Sequence, residues 1–452
     1  MNKLYLSEIA KAVKGKLFGE CEIADISIDS RSINEKSLYV AIIGERFDGH
    51  SFVNSAVENG AVAVMVSKIP KTDIPYVLVD DTEKAFLDLA KYYKEKISPL
   101  TVAVTGSVGK TTTKDMIAAV LSQKYKTLKT QGNLNNQIGL PRTIFSLDDS
   151  YKAAVLELGM SDFGEISVLS KAAQPDMAVI TMIGVSHMET LGSRDGILKA
   201  KLEILDGMSD DAPLFVSADD DMLSTFTDNN RRIIRFSTKS KSADYFAENI
   251  SVNNGNTEFV VCFNGNSQKV IIPTVGEHNV RDAVSAFAVG IECKISPRDI
   301  AEGLLNYKPS GMRQNVVQKN GYTVIEDCYN ASPDSMKASL SVLDDIANGR
   351  KIAVLADMLE LGEISLSAHY DTGKFAAEQG IDIIFCYGEH SKETQKGALE
   401  KGAKEVYWFD SKTDLQEKLL SVILEGDTVL FKGSRGMALE EIINFLYDKT
   451  DK

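Results

Sequence analysis

The densest run of chemistry-bearing residues in the chain is LTVAVTGSVGKTTT, residues 100–113. Thr101 to Val104 is short, apolar and β-branched in part, the pattern of a buried strand. Gly106, Ser107, Val108 and Gly109 interrupt it, and apolar residues resume at helical spacing from Lys114 to Leu121. Strand, glycine loop and helix together form a cradle in which backbone N–H groups and a helix N-terminus hold a phosphate chain. Lys110 is placed to reach the β- and γ-phosphates, and the hydroxyls of Thr111 and Thr112 open the helix. Thr111 is the one placed for Mg²⁺. The strict spacing G-x-x-x-x-G-K-[ST] is broken, because Val104 stands at the first glycine position.

Other candidates are scattered. Glu157 ends the strand-like run KAAVLE, where a hard oxygen ligand could join Thr111 on a cation, or simply face water. His187 follows MAVITMIG, and Lys199 and Lys201 lie on the next helical stretch, whose plain reading is a solvated face. Asn279 begins a small-residue helix, where it could cap the first turn and offer an amide to a purine edge. Arg313 stands where a guanidinium could swing onto a γ-phosphate. Asp327 ends a strand, a place suited to a ribose hydroxyl. Near the N-terminus, Ser30 and Arg31 precede a glycine-bounded loop holding Arg46, Asp48, Gly49 and His50, which alone reads as a surface turn.

The elements that must position these residues alternate between strand and helix. Residues 1–98 hold short strands at Ser37 to Ile43, Ala61 to Val66 and Tyr76 to Val79, with a first helix within MNKLYLSEIAKAVKGKL. From 99 to 310, runs such as Thr101 to Val104, Lys152 to Glu157, Met177 to Met182 and Leu214 to Ser217 alternate with helices over 112–123, 164–172 and 195–208. Residues 228–272 read as an antiparallel meander with Asn-Gly turns. Five further strand–helix pairs fill 311–452, the last helix spanning 435–447. The expectation is an α/β fold of three domains. These are a small N-terminal α/β domain, a central P-loop domain with a mostly parallel sheet and helices on both faces, and a C-terminal Rossmann-like doubly wound domain. No G-x-G-x-x-G follows the first C-terminal strand, which argues against a dehydrogenase.

A net charge of −14 opposes a nucleic-acid or anionic-membrane surface. The five cysteines have no C-x-x-C spacing, which fits a reducing compartment. No apolar window is long enough to cross a bilayer, and the N-terminus lacks the apolar core of a signal peptide. A cytoplasmic monomer is the expectation.

Taken in order, TGSVGKTTTK, TQGNLNNQIGLP, LELGMSDFGEI, IGVSHMETLGS, AKLEI, GEHNVRDA, GMRQNV, DCYNASPDSM, LADMLELGE and KGSRGM resemble the Mur ligase family. These are ATP-dependent amide-forming enzymes of peptidoglycan precursor synthesis. DSRSI, GERFDGHSF, QGNLNNQIGLP and YNASPDSM are most similar to the branch acting on UDP-N-acetylmuramoyl-tripeptide and D-Ala-D-Ala. The resemblance implies that Lys110 and Thr111 carry ATP and Mg²⁺ together with Glu157. It implies that His187 and a carbamylated Lys201 help to hold a second Mg²⁺. Asn279 would meet adenine, Asp327 ribose, and Arg313 the γ-phosphate. Ser30, Arg31 and the Arg46–His50 loop would serve the UDP-sugar, and Asn133, Asn135 and Asn136 the central groove. Asn330, Asp357 and the Lys432–Arg435 turn would receive the dipeptide. Three positions depart from the family pattern: Val108 in the phosphate loop, Asp282 in place of an Asn, and Ser332 in Y-N-A-N-P. A third-residue-adding ligase and a non-catalytic nucleotide switch remain as alternatives.

Overall fold

The strand Leu100–Thr105 lies inside the largest sheet and is buried from Thr101 onward. In the computed structural model, which describes residues 1–44, 47–253 and 255–450, nine strands join this sheet. Leu100–Thr105 has Ala153–Glu157 on one side and Met177–Ile180 on the other, both parallel to it. The chain leaves Leu100–Thr105, runs to the edge strand Thr127–Lys129, returns as Ala153–Glu157, and then crosses to the far side. Strand order therefore reverses at the carboxyl end of Leu100–Thr105, the kind of crevice where open α/β sheets bind ligands. The glycine loop and Glu157 both emerge there.

The expected meander is only partly antiparallel. Ile233–Ser237 pairs parallel with Leu214–Ser217, and Tyr245–Asn253 pairs parallel with Ile233–Ser237. Only Tyr245–Asn253, Asn256–Phe263 and Asn266–Ile272 form antiparallel pairs. The Asn264-Gly265 turn has φ of 47° and 74°, the left-handed pair that matches hairpin twist and that a residue bulkier than Asn or Gly resists. Asn254, of the other expected turn, lies outside the described residues.

Among the described residues, the N-terminal stretch contributes a five-stranded sheet with Lys16–Phe18 at one edge, paired to Tyr76–Leu78, and Asp25–Ser27 at the other. The expected first helix is a two-residue strand, Leu4–Tyr5, followed by Leu6–Ala12. Helix Thr82–Ile97 packs its Phe86, Leu89 and Tyr93 into a core shared with Leu140, Ile144 and Phe145 of the central stretch. Each such side chain contributes about 1.5–3 kcal/mol through burial. Tyr93 Oη donates to Leu147 O at 2.6 Å and Lys94 Nζ to Gln174 O at 2.8 Å. The N-terminal sheet is thereby fastened to one face of the central one.

The C-terminal stretch forms a six-stranded sheet in which Thr428–Lys432 lies between Tyr322–Glu326 and Lys351–Ala356. Apolar cores cover both of its faces. The last helix starts later than the periodicity indicates, at Glu440, after a 3-10 turn at Arg435–Met437. Ala438, with φ of 48°, breaks the continuity. Likewise the stretch expected as helix 195–208 is Arg194–Leu202 followed by a 3-10 turn, Glu203–Gly207.

Candidate active site

A cleft of about 600 Å³ opens where the carboxyl ends of the central strands face the C-terminal sheet. Helix Lys110–Leu121 begins at Lys110, two residues earlier than its apolar spacing indicates, because the loop glycine Gly109 adopts φ of 86° and turns the chain into it. A Cβ at Gly109 would lie 2.9 Å from Asp282 Oδ1, and one at Gly106 would overlap Thr181 Oγ1. Both positions exclude a side chain, so the loop backbone can approach its surroundings closely.

Lys110 Nζ donates to Gly106 O at 2.7 Å and Ser107 O at 3.3 Å, folding its ammonium over the loop. Enclosure lowers the proton affinity of this lysine, against the attraction of Glu157. Ser107 Oγ is buried and has no hydrogen-bond partner. The Thr111 hydroxyl donates to Glu157 Oε2 and the Asn135 amide to Oε1, each at 2.8 Å. The Glu157 N–H donates to Thr130 Oγ1 at 3.0 Å. A buried carboxylate oriented by two neutral donors presents hard oxygen atoms of the kind a cation takes.

Lys201 lies behind this group on helix Arg194–Leu202 and is 1% exposed. Its Nζ has no hydrogen-bond partner. Burial first, then the charge of Lys110, pushes its pKa well below the ordinary lysine value, against Glu157, Glu165 and Glu203. An unpaired buried ammonium is costly, so the neutral amine is favoured. Lys199, by contrast, is exposed, with its ammonium over the Phe163 ring. His187 lines the cleft with φ of 62°. Burial, helped by Lys110 and Lys201, brings its imidazole down to about 4. The neutral ring can serve as a metal ligand. Its Nδ1 lies 2.9 Å from Glu360 Oε2, which arrives from the C-terminal stretch. Among the described residues, no three His, Cys, Asp or Glu side chains cluster as a metal site. The donor set that fits Mg²⁺ is therefore mixed: Thr111, Glu157 and His187, with Lys201 beside them.

Across the cleft stand Arg313, Asp327, Asn330, Lys432 and Arg435. The Arg313 guanidinium packs 4.2 Å over the Tyr329 ring. Asp327 Oδ2 accepts from Ser339 Oγ at 2.5 Å and from Lys432 Nζ at 2.9 Å. Asn330 Oδ1 accepts the Ala331 N–H at 2.9 Å. Asn133, Asn135 and Asn136 line the near wall, as do Ser107, Val108, Gly109, Thr111 and Thr112. Val108 leaves the loop intact; its carbonyl accepts from Thr181 Oγ1. Ser332 caps helix Pro333–Ile346 in a capping box with Ser335.

Several sequence expectations change. Asn279 is not a cap: the helix starts at Glu277 behind Gly276. Its buried amide instead donates to Val275 O at 2.6 Å and Gln314 Oε1 at 2.5 Å. Asp282 lies against Gly109, and burial raises its carboxyl to about 7, although Arg281 pulls the other way. Asp357 does not line the cleft. Its carboxylate receives the His390 and Ser391 N–H groups at 3.2 and 2.7 Å and so holds the start of helix Ser391–Glu400.

A second cavity, of about 780 Å³, is lined by Asp29, Ser30, Arg31, Tyr39, Phe47, Phe52 and Arg142 among others. Asp48, Gly49 and His50 are not among its lining residues. His50 Nδ1 lies 2.6 Å from Asp48 Oδ1, and His50 Nε2 accepts the Ser67 N–H at 2.9 Å. Gly49 pairs with Ile42 O through its N–H. These three residues brace the loop. Arg46 lies outside the described residues. Thr130, Glu360 and Arg142 were not singled out by spacing. Thr130 and Glu360 carried a signal only as members of TQGNLNNQIGLP and LADMLELGE, and Arg142 carried none.

The Mur ligase family, catalytic domain, matches residues 22–96; the Mur ligase middle domain matches 104–290; the Mur ligase, glutamate ligase domain, matches 312–435. A UDP-N-acetylmuramoyl-tripeptide--D-alanyl-D-alanine ligase of Bacillus subtilis is 40% identical over 99% of both chains. A MurF crystal structure from Acinetobacter baumannii covers 100% of both chains at TM-score 0.93 and 33% identity. The Thermotoga maritima MurF ligase in complex with ADP covers 94% of this chain and 98% of its own, at TM-score 0.86 and 27% identity. With likeness of that extent along its whole length, the chain belongs to the Mur ligase family.

Proposed function

We propose that this protein is an ATP-dependent ligase that joins D-alanyl-D-alanine to UDP-N-acetylmuramoyl-tripeptide in peptidoglycan precursor synthesis, working in the cytoplasm. The observation that carries the reading is the single cleft in which the Lys110 loop faces Arg313, Lys432 and Arg435. Full-length likeness to ligases of that name supports the choice of substrates.

A carboxylate is a poor electrophile, and phosphorylation supplies a leaving group. The terminal carboxylate of the tripeptide attacks the γ-phosphorus of ATP, and the bond to the ADP oxygen breaks. Lys110 leaves the Gly106 and Ser107 carbonyls and spreads the charge that develops on the β- and γ-phosphates. Arg313, held flat by Tyr329, meets the transferred phosphoryl group with the fork geometry that matches it. The D-Ala-D-Ala amine then attacks the acyl carbon, loses its proton and expels inorganic phosphate. Arg435 attracts the carboxylate of the dipeptide, Asn279 and Asp327 belong to the adenosine end, and Lys432 holds Asp327 in place between the two. Enclosure between the two sheets keeps water from the acyl phosphate.

Thr111, Glu157 and His187 are the residues that would hold Mg²⁺, which when bound polarises phosphoryl oxygens and neutralises their charge. Lys201 joins this set as a carbamate. Its unpartnered, deprotonated amine is the form that adds carbon dioxide, and the product supplies the oxygen ligands that a free amine lacks.

The test is oxygen transfer. Tripeptide nucleotide labelled with heavy oxygen in its terminal carboxylate should pass one labelled atom to the released phosphate. Unlabelled phosphate contradicts an acyl-phosphate route.

A further inference from the structure

The second cavity draws on two separate parts of the chain. Its N-terminal wall is the Asp29-Ser30-Arg31 turn with Tyr39, Phe47 and Phe52, whereas Arg142 comes from helix Gly139–Ile144 of the central stretch. Most charges at this cavity are already paired. Arg31 grips Asp29 with a fork, Nε to Oδ1 at 2.9 Å and Nη2 to Oδ2 at 2.8 Å. Asp25 accepts the Ser37 hydroxyl at 2.8 Å and the Asn34 amide at 3.2 Å. Arg142 is exposed, and among the described residues its guanidinium has no hydrogen-bond or ion-pair partner. The hydrogen bonds and charge of Arg31, and after them the charge of Arg142, hold the Asp29 carboxyl below the usual range, yet the donors of Arg142 itself are unused.

Its position along the protein also matters. Phe47 and Phe52 are 57% and 44% exposed, and flat apolar surface of that kind suits a base. Helix Gly139–Ile144 starts on Asn136, whose Oδ1 accepts the Gly139 N–H at 2.8 Å. The neighbouring Asn135 holds Glu157 of the reaction site. Arg142 thus reaches the cavity from the helix that directly follows the loop holding the reaction-site carboxylate. In a nucleotide-sugar peptide, the group between base and sugar is the diphosphate, and a planar guanidinium matches phosphate oxygens in pairs.

We infer that Arg142 is the cation that receives the diphosphate of the nucleotide-sugar substrate, contributed to the cavity by the central stretch. This rests on the substrate reading given above. It gives the asparagine loop and the helix that follows it one task each: Asn135 sets the metal carboxylate, and Arg142 receives the diphosphate end of the same substrate.

Calorimetric titration of the full chain with UDP-N-acetylmuramoyl-tripeptide, UDP and uridine tests it, using Arg142→Ala and Arg142→Lys with ADP binding as the folding control. Removing a charge-assisted contact should weaken UDP and the tripeptide nucleotide by about tenfold or more. Uridine and ADP should bind both variants as they bind the parent chain. The lysine variant should recover part of the loss, and added salt should weaken the parent more than the alanine variant. Equal UDP binding by parent and alanine variant overturns the inference, as does an equal loss for uridine. A loss confined to the tripeptide nucleotide overturns it too, by placing the contact on a peptide carboxylate. A parent chain that binds neither UDP nor the tripeptide nucleotide overturns the substrate reading itself, and the inference with it.

Discussion

The Asn135 side-chain amide donates to Glu157 Oε1 at 2.8 Å, which ties the loop after the edge strand to the carboxylate beside the phosphate loop. Glu157 is 2% exposed, so its orientation depends on this bond and on the Thr111 hydroxyl. Asn135→Ala should weaken the apparent Mg²⁺ affinity by about 10- to 100-fold, the usual cost of losing a group that orients a ligand. Nucleotide binding without metal should change little. A Mg²⁺ titration of ADP binding reads both. An unchanged Mg²⁺ midpoint contradicts the positioning role.

Lys201 is buried and unpartnered. As a carbamate it supplies oxygen atoms that alanine cannot. Lys201→Ala should lose most activity and regain part of it with short carboxylic acids, which fit the vacated space and restore a carboxylate. Full activity in the plain variant removes the carbamate from the account.

Asp282 faces Gly109, and its carboxyl is raised to about 7 by burial. From about pH 6 to about pH 8 it therefore passes from neutral to charged beside the phosphate loop. ADP affinity should fall across that range, because the new negative charge repels the polyphosphate. Asp282→Asn should flatten the profile. The same shift has a stability consequence: the folded carboxyl binds its proton more tightly than the unfolded one. Stability is therefore full at low pH and declines as pH rises from about 4 through about 7. The melting temperature of the parent should drop relative to Asp282→Asn over that window, and parallel curves contradict the raised value.

Asp327 and Lys432 end neighbouring parallel strands, 7% and 4% exposed, with 2.9 Å between Oδ2 and Nζ. Leaving either charge alone in that setting costs about 3–5 kcal/mol, whereas replacing both partners by neutral groups costs much less. Lys432→Met should lower denaturant stability by about that amount, and Asp327→Asn with Lys432→Met should regain most of it. Additive losses contradict a buried pair.

How far the sequence reaches can be seen residue by residue. The strand, loop and helix around Lys110 were legible, because β-branched apolar residues and two glycines leave few alternatives. The parallel sheets followed from strand–helix alternation. Ile233–Ser237 was misread, since a short strand carries no mark of its neighbour's direction. The isolation of Lys201 was invisible, because only tertiary packing decides which helical lysine faces inward. Lys199, two residues away, is exposed. Motif likeness gathered His50 and Asp357 with the substrate residues, yet their polar groups hold their own loops. A motif marks a residue as needed without saying whether ligand or backbone needs it. Arg142 left no trace, since its importance lies in the lack of a partner within a cavity built from distant segments.

The central claim is that one cleft uses ATP to couple a tripeptide nucleotide to a preformed dipeptide. ADP release should be followed with each tripeptide nucleotide, carrying lysine or diaminopimelate, and with a panel of acceptors. The account predicts stoichiometric ADP and pentapeptide nucleotide, identified by mass, only when tripeptide nucleotide and D-Ala-D-Ala are both present. Turnover with a single amino acid in place of the dipeptide, or no turnover with any acceptor, would contradict it.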